Sequence, residues 1–102
     1  MKLNHILLTL TASSMMAWAV SPQVIYESNC ASCHGKKGEK NALGQSGVIQ
    51  GITTDKFLKS VKGYASGELK ANAMAKMVKQ NFIKKYSEAE IEAVGAYLHT
   101  LK

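Results

Sequence analysis

The residues most able to do chemistry lie together in the pentapeptide CASCH at positions 30–34. It contains both cysteines of the 102-residue chain and one of its three histidines. Thiols and imidazoles bind metals, and paired thiols exchange disulfides, so a C-x-x-C-H spacing admits several interpretations. They are a dithiol redox centre, a zinc site, a structural disulfide and a site where a c-type haem is covalently attached.

The rest of the sequence separates these possibilities. A dithiol redox centre sits at a strand-to-helix junction, and the chain shows no βαβ pattern. A closed zinc site needs two further ligands, but His5 lies in the N-terminal leader and His99 stands alone near the C-terminus. A disulfide explains the cysteines but not the adjacent histidine. The pattern favours haem, with Cys30 and Cys33 forming thioethers to the haem vinyl groups and His34 binding the iron.

The first 19 residues have the pattern of a secretory signal peptide. Lys2 precedes an apolar stretch, and the sequence AWA, which ends at Ala19, has the small-x-small form of a cleavage site. A membrane anchor is the alternative, but serines and threonines interrupt a run shorter than the roughly 20 apolar residues of a bilayer span. We therefore expect a signal peptide over 1–19 and an exported, periplasmic domain over 20–102 with no membrane span.

The charge and size of the exported part limit its partners. All thirteen basic residues are lysine, and without Lys2 twelve lysines face seven acidic residues, a side-chain charge of +5. We expect no nucleic-acid ligand, because exported proteins rarely meet one and arginine is the residue suited to phosphate contacts. An acidic protein surface fits better, since complementary charge speeds and orients encounter. An exported domain of 83 residues has a marginal apolar core, which a bound cofactor would enlarge.

Helical signals dominate the remainder of the chain, and no segment shows the alternation of a β-strand. The predicted helices cover 22–29, 55–62, 69–81 and the segment that follows Ser87. Ser21 and Pro22 suit the start of the first helix, and Gly63 suits the end of the second. Ser87 and Glu90 match the capping-box pattern S-x-x-E. We therefore predict an all-α fold in which several short helices are joined by glycine-rich loops.

With these features the chain resembles the small monohaem class I cytochromes c of bacteria. The resemblance covers most of 22–102 and depends on three segments, YESNCASCHG, VKGYASG and KKYSEAEIEAVGAYLHTLK. It implies a cytochrome c-like fold, in which several short helices surround one covalently bound haem and the N- and C-terminal helices cross. Gly95 is the candidate for close approach at that crossing. In place of a proline that the family often has, a carbonyl near Gly47 or Val48 would accept a hydrogen bond from His34.

The resemblance also implies that a methionine sulfur is the second axial ligand of the iron. Only Met74 and Met77 lie in the segment before the last helix. The family's methionine lies somewhat fewer than a dozen residues before that helix; Met77 is ten residues before Ser87 and Met74 is thirteen. We therefore predict Met77, with Met74 as the alternative. Such ligation raises the reduction potential and closes the iron to outside ligands, which suits electron transfer.

The function implied by the resemblance is that of an electron carrier that is not itself an enzyme. Its partners would be a cytochrome bc complex, a haem–copper oxidase, a peroxidase or a dehydrogenase, each with an acidic docking patch, and we expect a monomer. Two alternatives stay open: an open-site haem protein for gas sensing or peroxide chemistry, and a haem subunit fixed in a larger enzyme. Four lysines flank the attachment and ligand segments and are candidates for the docking surface: Lys36, Lys37, Lys76 and Lys79.

Overall fold

A computed structural model describes residues 20–41 and 47–101, and the predicted signal peptide lies outside these ranges. The helices of the described residues are α1 Pro22–Asn29, α2 Ala31–His34, α3 Thr54–Ser66, α4 Ala73–Lys85 and α5 Glu88–Thr100. No strand occurs in the same ranges, and the all-α prediction is confirmed. None of these helices has both the length and the apolar character needed to cross a bilayer.

The apolar core is centred where the first and last helices pack together. In α1, Tyr26 lies beside Tyr97 of α5, with ring centroids 6.1 Å apart. Helix α3 packs against both α4 and α5, so the core continues from the α1–α5 contact towards α4. The predicted pairing of the N- and C-terminal helices is therefore present. The largest fully buried side chains all belong to α1 and α5: Tyr26, Ile25, Ile91, Leu98 and Val94.

Gly95 serves a different pair of helices from the one expected. A Cβ atom placed on Gly95 would lie 3.0 Å from Cδ2 of Phe57 and 3.2 Å from Cγ2 of Thr54. Both residues belong to α3, so the glycine permits the close approach of α3 to α5 rather than that of α1 to α5. The family resemblance therefore predicted the wrong partner helix for Gly95. The structural reason is that α3 lies against the Gly95 face of α5.

Helix α3 continues past Gly63, the residue that was predicted to end it. It ends at Gly67, whose φ of 90° and ψ of 0° lie in the left-handed region where glycine is favoured. Gly63 has another role: a Cβ there would lie 2.7 Å from Cδ1 of Leu69, and Leu69 donates its N–H to the Gly63 carbonyl at 3.0 Å. The chain folds back over Gly63, and the helix continues through Tyr64 to Ser66.

Side-chain caps begin the last two helices. Asn72 starts α4 by accepting the N–H of Ala75 at 2.8 Å, which places this helix four residues later than predicted. Ser87 starts α5, and its hydroxyl accepts the N–H of Glu90 at 3.2 Å. The Glu90 carboxylate accepts the Ser87 N–H at 2.9 Å in return. The predicted capping box is confirmed.

Tyr26 makes the core sensitive to alkaline pH. Its hydroxyl donates to the Gly35 carbonyl at 2.5 Å, and burial raises the pKa of this phenol well above its ordinary value, with Cys30 and Glu39 adding to the effect. The native state therefore holds the Tyr26 proton more tightly than the unfolded state does. Below pH ~10 both states are protonated and the contribution to stability is complete. Above pH ~10 the unfolded state ionises first, and the free energy of unfolding falls.

We expect the urea midpoint of the protein to decrease as the pH is raised from about 8 to about 11. Tyr26→Phe should flatten this dependence, although it loses the hydrogen bond at every pH. Tyr97→Phe, which removes the hydroxyl of the neighbouring ring, is the control and should keep the wild-type slope. Equal slopes for wild type and Tyr26→Phe would contradict the assignment.

Candidate haem-binding site

The two cysteines and His34 lie on a single turn at the junction of α1 and α2. Cys30 ends α1 with its N–H donated to the Tyr26 carbonyl at 2.8 Å, and its φ of −124° breaks the helix. His34 then donates its N–H to the Cys30 carbonyl at 3.0 Å. Both cysteines are free of disulfide bonds. A separation of three residues in a helical turn places both thiols on the same side of the chain.

The chain leaves this turn in a fixed direction. Gly35 ends α2 with a φ of 88°, a conformation that residues with a Cβ rarely adopt. Its carbonyl accepts the Tyr26 hydroxyl from the core, and the His34 carbonyl accepts the N–H of Lys40 at 2.8 Å. The attachment turn is thus tied to the α1–α5 core on one side and to the following loop on the other.

The turn forms one wall of a cavity of about 190 Å³, which Cys30, Cys33 and His34 all line. Helices α3 and α4 form the facing walls. The lining side chains are mostly apolar and include Phe57, Val61, Val78 and Phe82 from these helices and Ile49 from the loop before α3. Phe57, Val61 and Phe82 are also buried members of the main core, so the cavity opens directly from the packed interior.

Only one of the two candidate methionines lines the cavity. Met74, Val78 and Phe82 recur every four residues along the lining face of α4. A helix turns about 100° per residue, so Met77 lies about 100° around α4 from Val78, and it is not among the lining residues of the described chain. Their exposures are similar, at 61% for Met74 and 57% for Met77. The cavity favours Met74, whereas the ligand role predicted for Met77 from spacing stays a prediction.

The electrostatics of the turn suit a neutral imidazole. Burial lowers the pKa of His34, and the ammonium of Lys79 lowers it further. Neutral imidazole is the form that binds a metal ion. Burial also raises the pKa of the Cys30 thiol to about 11, with Lys79 opposing this rise and Cys33 adding to it. At neutral pH, Cys30 is therefore protonated and His34 is uncharged.

The Nδ1 atom of His34 is buried and has no hydrogen-bond partner within the described chain. The predicted acceptor, a carbonyl near Gly47 or Val48, does not supply one, so that expectation was wrong for this structure. His99 is exposed on α5, where its Nδ1 lies 3.2 Å from the Gly51 carbonyl, and it does not line the cavity.

The cavity also contains polar residues that the sequence patterns did not single out. Asn29 precedes the first cysteine and lines the cavity beside it, and Lys70 lies on the rim. Of the lysines that flank the two segments, Lys79 lines the cavity, and its Nζ lies 5.8 Å from the centroid of the Tyr64 ring. For Asn29, the available sequence signal was its position directly before Cys30 of the C-x-x-C-H motif. Nothing in the sequence separates Lys70 from the other lysines.

These features fit a covalently bound haem. Two thiols and a neutral imidazole converge on one wall, and apolar side chains from α3 and α4 suit the faces of a porphyrin. A zinc site is poorly supported, because the described residues contain no cluster of three or more His, Cys, Asp or Glu side chains that could hold a metal ion.

Comparison with known proteins also supports a covalently bound haem. Residues 21–102 match the family model described as cytochrome c. The chain is 31% identical to cytochrome c-553 of Nitratidesulfovibrio vulgaris (strain Miyazaki F) over 97% of its own length and all of that protein. It is 35% identical to cytochrome c-553 of Helicobacter pylori (strain 26695) over 72% of each chain. The chain belongs to the cytochrome c family: it is an electron carrier rather than an enzyme, and it holds one covalently bound haem.

Proposed function

We propose that this carrier works through a closed iron site, with His34 and Met74 as the axial ligands and Met77 as the alternative to Met74. Cys30 and Cys33 would hold the haem through thioether bonds. A c-type haem supplies reversible one-electron chemistry at its iron. The observation that supports this site most directly is that Cys30, Cys33, His34 and Met74 all line the same cavity.

The chain's own residues suit electron transfer better than catalysis. Apolar side chains of α3 and α4 line the cavity, and a methionine opposite His34 would leave no iron position for a substrate. Peroxide chemistry needs a distal acid–base group. Of the residues that line the cavity, His34 is the only histidine, and the cationic groups facing it are Lys70 and Lys79. This supports a closed carrier over the open-site alternative.

The optical spectrum of the exported, haem-loaded protein tests the closed site. We expect a methionine-to-iron charge-transfer band in the oxidised form and no spectral response when carbon monoxide is added to the reduced form. A spectrum without that band, with ready binding of carbon monoxide, would overturn the closed site in favour of gas sensing or peroxide chemistry.

We further propose that residues 1–19 are a signal peptide and that the haem domain, 20–102, functions in the periplasm. The match to the family model supports this boundary, because it begins at residue 21, two residues beyond Ala19. Intact-mass measurement of the protein from a periplasmic extract should give the haem-loaded chain beginning at Val20. A mass that includes the first 19 residues would support the anchor instead.

The docking partner would present an acidic surface, as a membrane cytochrome complex, an oxidase, a peroxidase or a dehydrogenase can. Lys70 and Lys79 line the cavity, and neither forms an ion pair with the described acidic residues. Lys59, by contrast, pairs with Asp55 at 3.2 Å on the exposed face of α3. The free cations at the cavity make its mouth positive, which supports an acidic partner.

Small redox probes of opposite charge test this positive surface. We expect oxidation of the reduced protein by ferricyanide to slow as ionic strength rises, because salt screens the attraction. Oxidation by a cationic cobalt phenanthroline complex should accelerate instead. Lys70→Gln should weaken both dependences, whereas Lys59→Gln, the matched control, should leave them near the wild-type values. If the oxidation rates with both probes are independent of ionic strength, docking guided by the lysines is contradicted.

A further inference from the structure

The side chain of Asn29 joins two parts of the molecule that form opposite walls of the haem cavity. Its Nδ2 donates to the Ile25 carbonyl within α1 at 2.7 Å and to the Tyr86 hydroxyl at the end of α4 at 2.9 Å. A carbonyl can only accept, so the nitrogen of the amide must face Ile25. Its two N–H groups match the two acceptors, and the side chain is therefore held in one orientation.

Both ends of this contact are fixed by their surroundings. Asn29 directly precedes Cys30 and lines the cavity beside it. Tyr86 caps the C-terminal end of α4, where its N–H is donated to the Phe82 carbonyl at 3.2 Å. Its ring packs on the ring of Phe82, with centroids 5.4 Å apart. Phe82 lines the same cavity, so the contact lies at the edge of the haem site.

The contact supplies a link that helix packing does not. Helix α4 packs mainly along α3, and the main packing partner of α1 outside the attachment turn is α5. Within the described ranges, the Asn29–Tyr86 hydrogen bond is the one hydrogen bond that joins α1 or α2 directly to α4 or its cap. This amide and this hydroxyl therefore help to set the distance between the wall that holds His34 and the helix that carries the methionines.

We propose that Asn29 and Tyr86 form a positioning bridge that keeps the methionine of α4 on the iron opposite His34. The inference rests on the closed site proposed above and adds two residues that act on it without touching the iron. A methionine–iron bond is maintained only while α4 stays close to the attachment turn. Losing the bridge allows α4 to move away, which opens the iron to small ligands.

The test is carbon monoxide binding by the reduced, haem-loaded protein. Tyr86→Phe keeps the ring that packs on Phe82 and removes only the hydroxyl. We expect this variant to increase the fraction of carbon monoxide-accessible protein about fivefold, the factor that corresponds to one ordinary hydrogen bond. It should also weaken the methionine-to-iron band. Asn29→Ala is a second variant from the other side of the bridge, and adding Tyr86→Phe to it should produce no further increase.

Tyr97→Phe is the matched control, because it removes a tyrosine hydroxyl from α5 that takes no part in the bridge. If Tyr86→Phe and Tyr97→Phe bind carbon monoxide equally, the bridge is overturned, even where Tyr86→Phe lowers the urea midpoint. That result leaves the closed site intact, provided that the wild type shows the band. A wild type that lacks the band and binds carbon monoxide would overturn the closed site and the bridge together.

Discussion

Replacing both Cys30 and Cys33 with serine should give an exported chain that contains no covalently bound haem and has no stable tertiary structure. The proposed thioethers would be the covalent link to the haem, so the first effect is expected to be complete. The second follows from size, because an exported domain of 83 residues has a marginal core. Without the haem, the apolar walls formed by α3 and α4 would face water.

Haem staining of the purified protein on a denaturing gel measures the first effect, and near-UV circular dichroism with urea unfolding measures the second. The matched control is Ser32→Ala, which changes the same turn between the two cysteines and leaves both thiols in place. This control should retain haem and a cooperative unfolding transition. A cysteine-free chain that unfolds cooperatively at the wild-type midpoint would show that the helices do not need the haem.

The second large effect is expected at the distal ligand. Met74→Leu replaces the sulfur with a side chain of similar volume, so the fold should tolerate it. We expect the methionine-to-iron band to disappear, the reduced protein to bind carbon monoxide, and the reduction potential to fall by on the order of 0.1 V. Axial ligands shift haem potentials over a range of about 0.8 V, so a change of this size is readily measured.

Met77→Leu is the matched control, because it shows which of the two methionines is the ligand. Met77 is equally exposed on the same helix but does not line the cavity, so its replacement should leave the band and the potential unchanged. The reverse result would show that spacing to the last helix identifies the ligand better than the lining of the cavity does. If both variants keep the band, neither sulfur is the ligand.

Local patterns predicted much of this molecule, and long-range packing accounts for most of the remainder. The attachment motif and the capping box at Ser87 are complete within five residues and four residues, so the sequence carries all their information. The end of α3 was mispredicted because Gly63 and Gly67 both suit a helix end. In the folded chain Leu69 packs over Gly63, and Gly67 adopts the left-handed conformation that ends the helix.

The distal side of the cavity was the hardest part to predict. Its register depends on where α4 begins, which Asn72 decides, and on which face of α4 packs against α3. A count of residues from Ser87 contains neither fact, and this is why spacing and geometry favour different methionines. The role of Gly95 was mispredicted for the same reason. The helix that packs against it is determined by long-range contacts that the local sequence does not contain.

The compactness of the attachment turn has a consequence for the order of folding. The turn is closed by backbone hydrogen bonds between near neighbours, such as those from Cys33 and His34 to the Cys30 carbonyl. Closing so short a loop costs little chain entropy, whereas bringing α4 opposite the turn requires contacts between residues about 50 positions apart in sequence. We therefore expect that cofactor attachment can precede collapse of the chain, and the attached group would then act as a nucleus on which the distal helices condense.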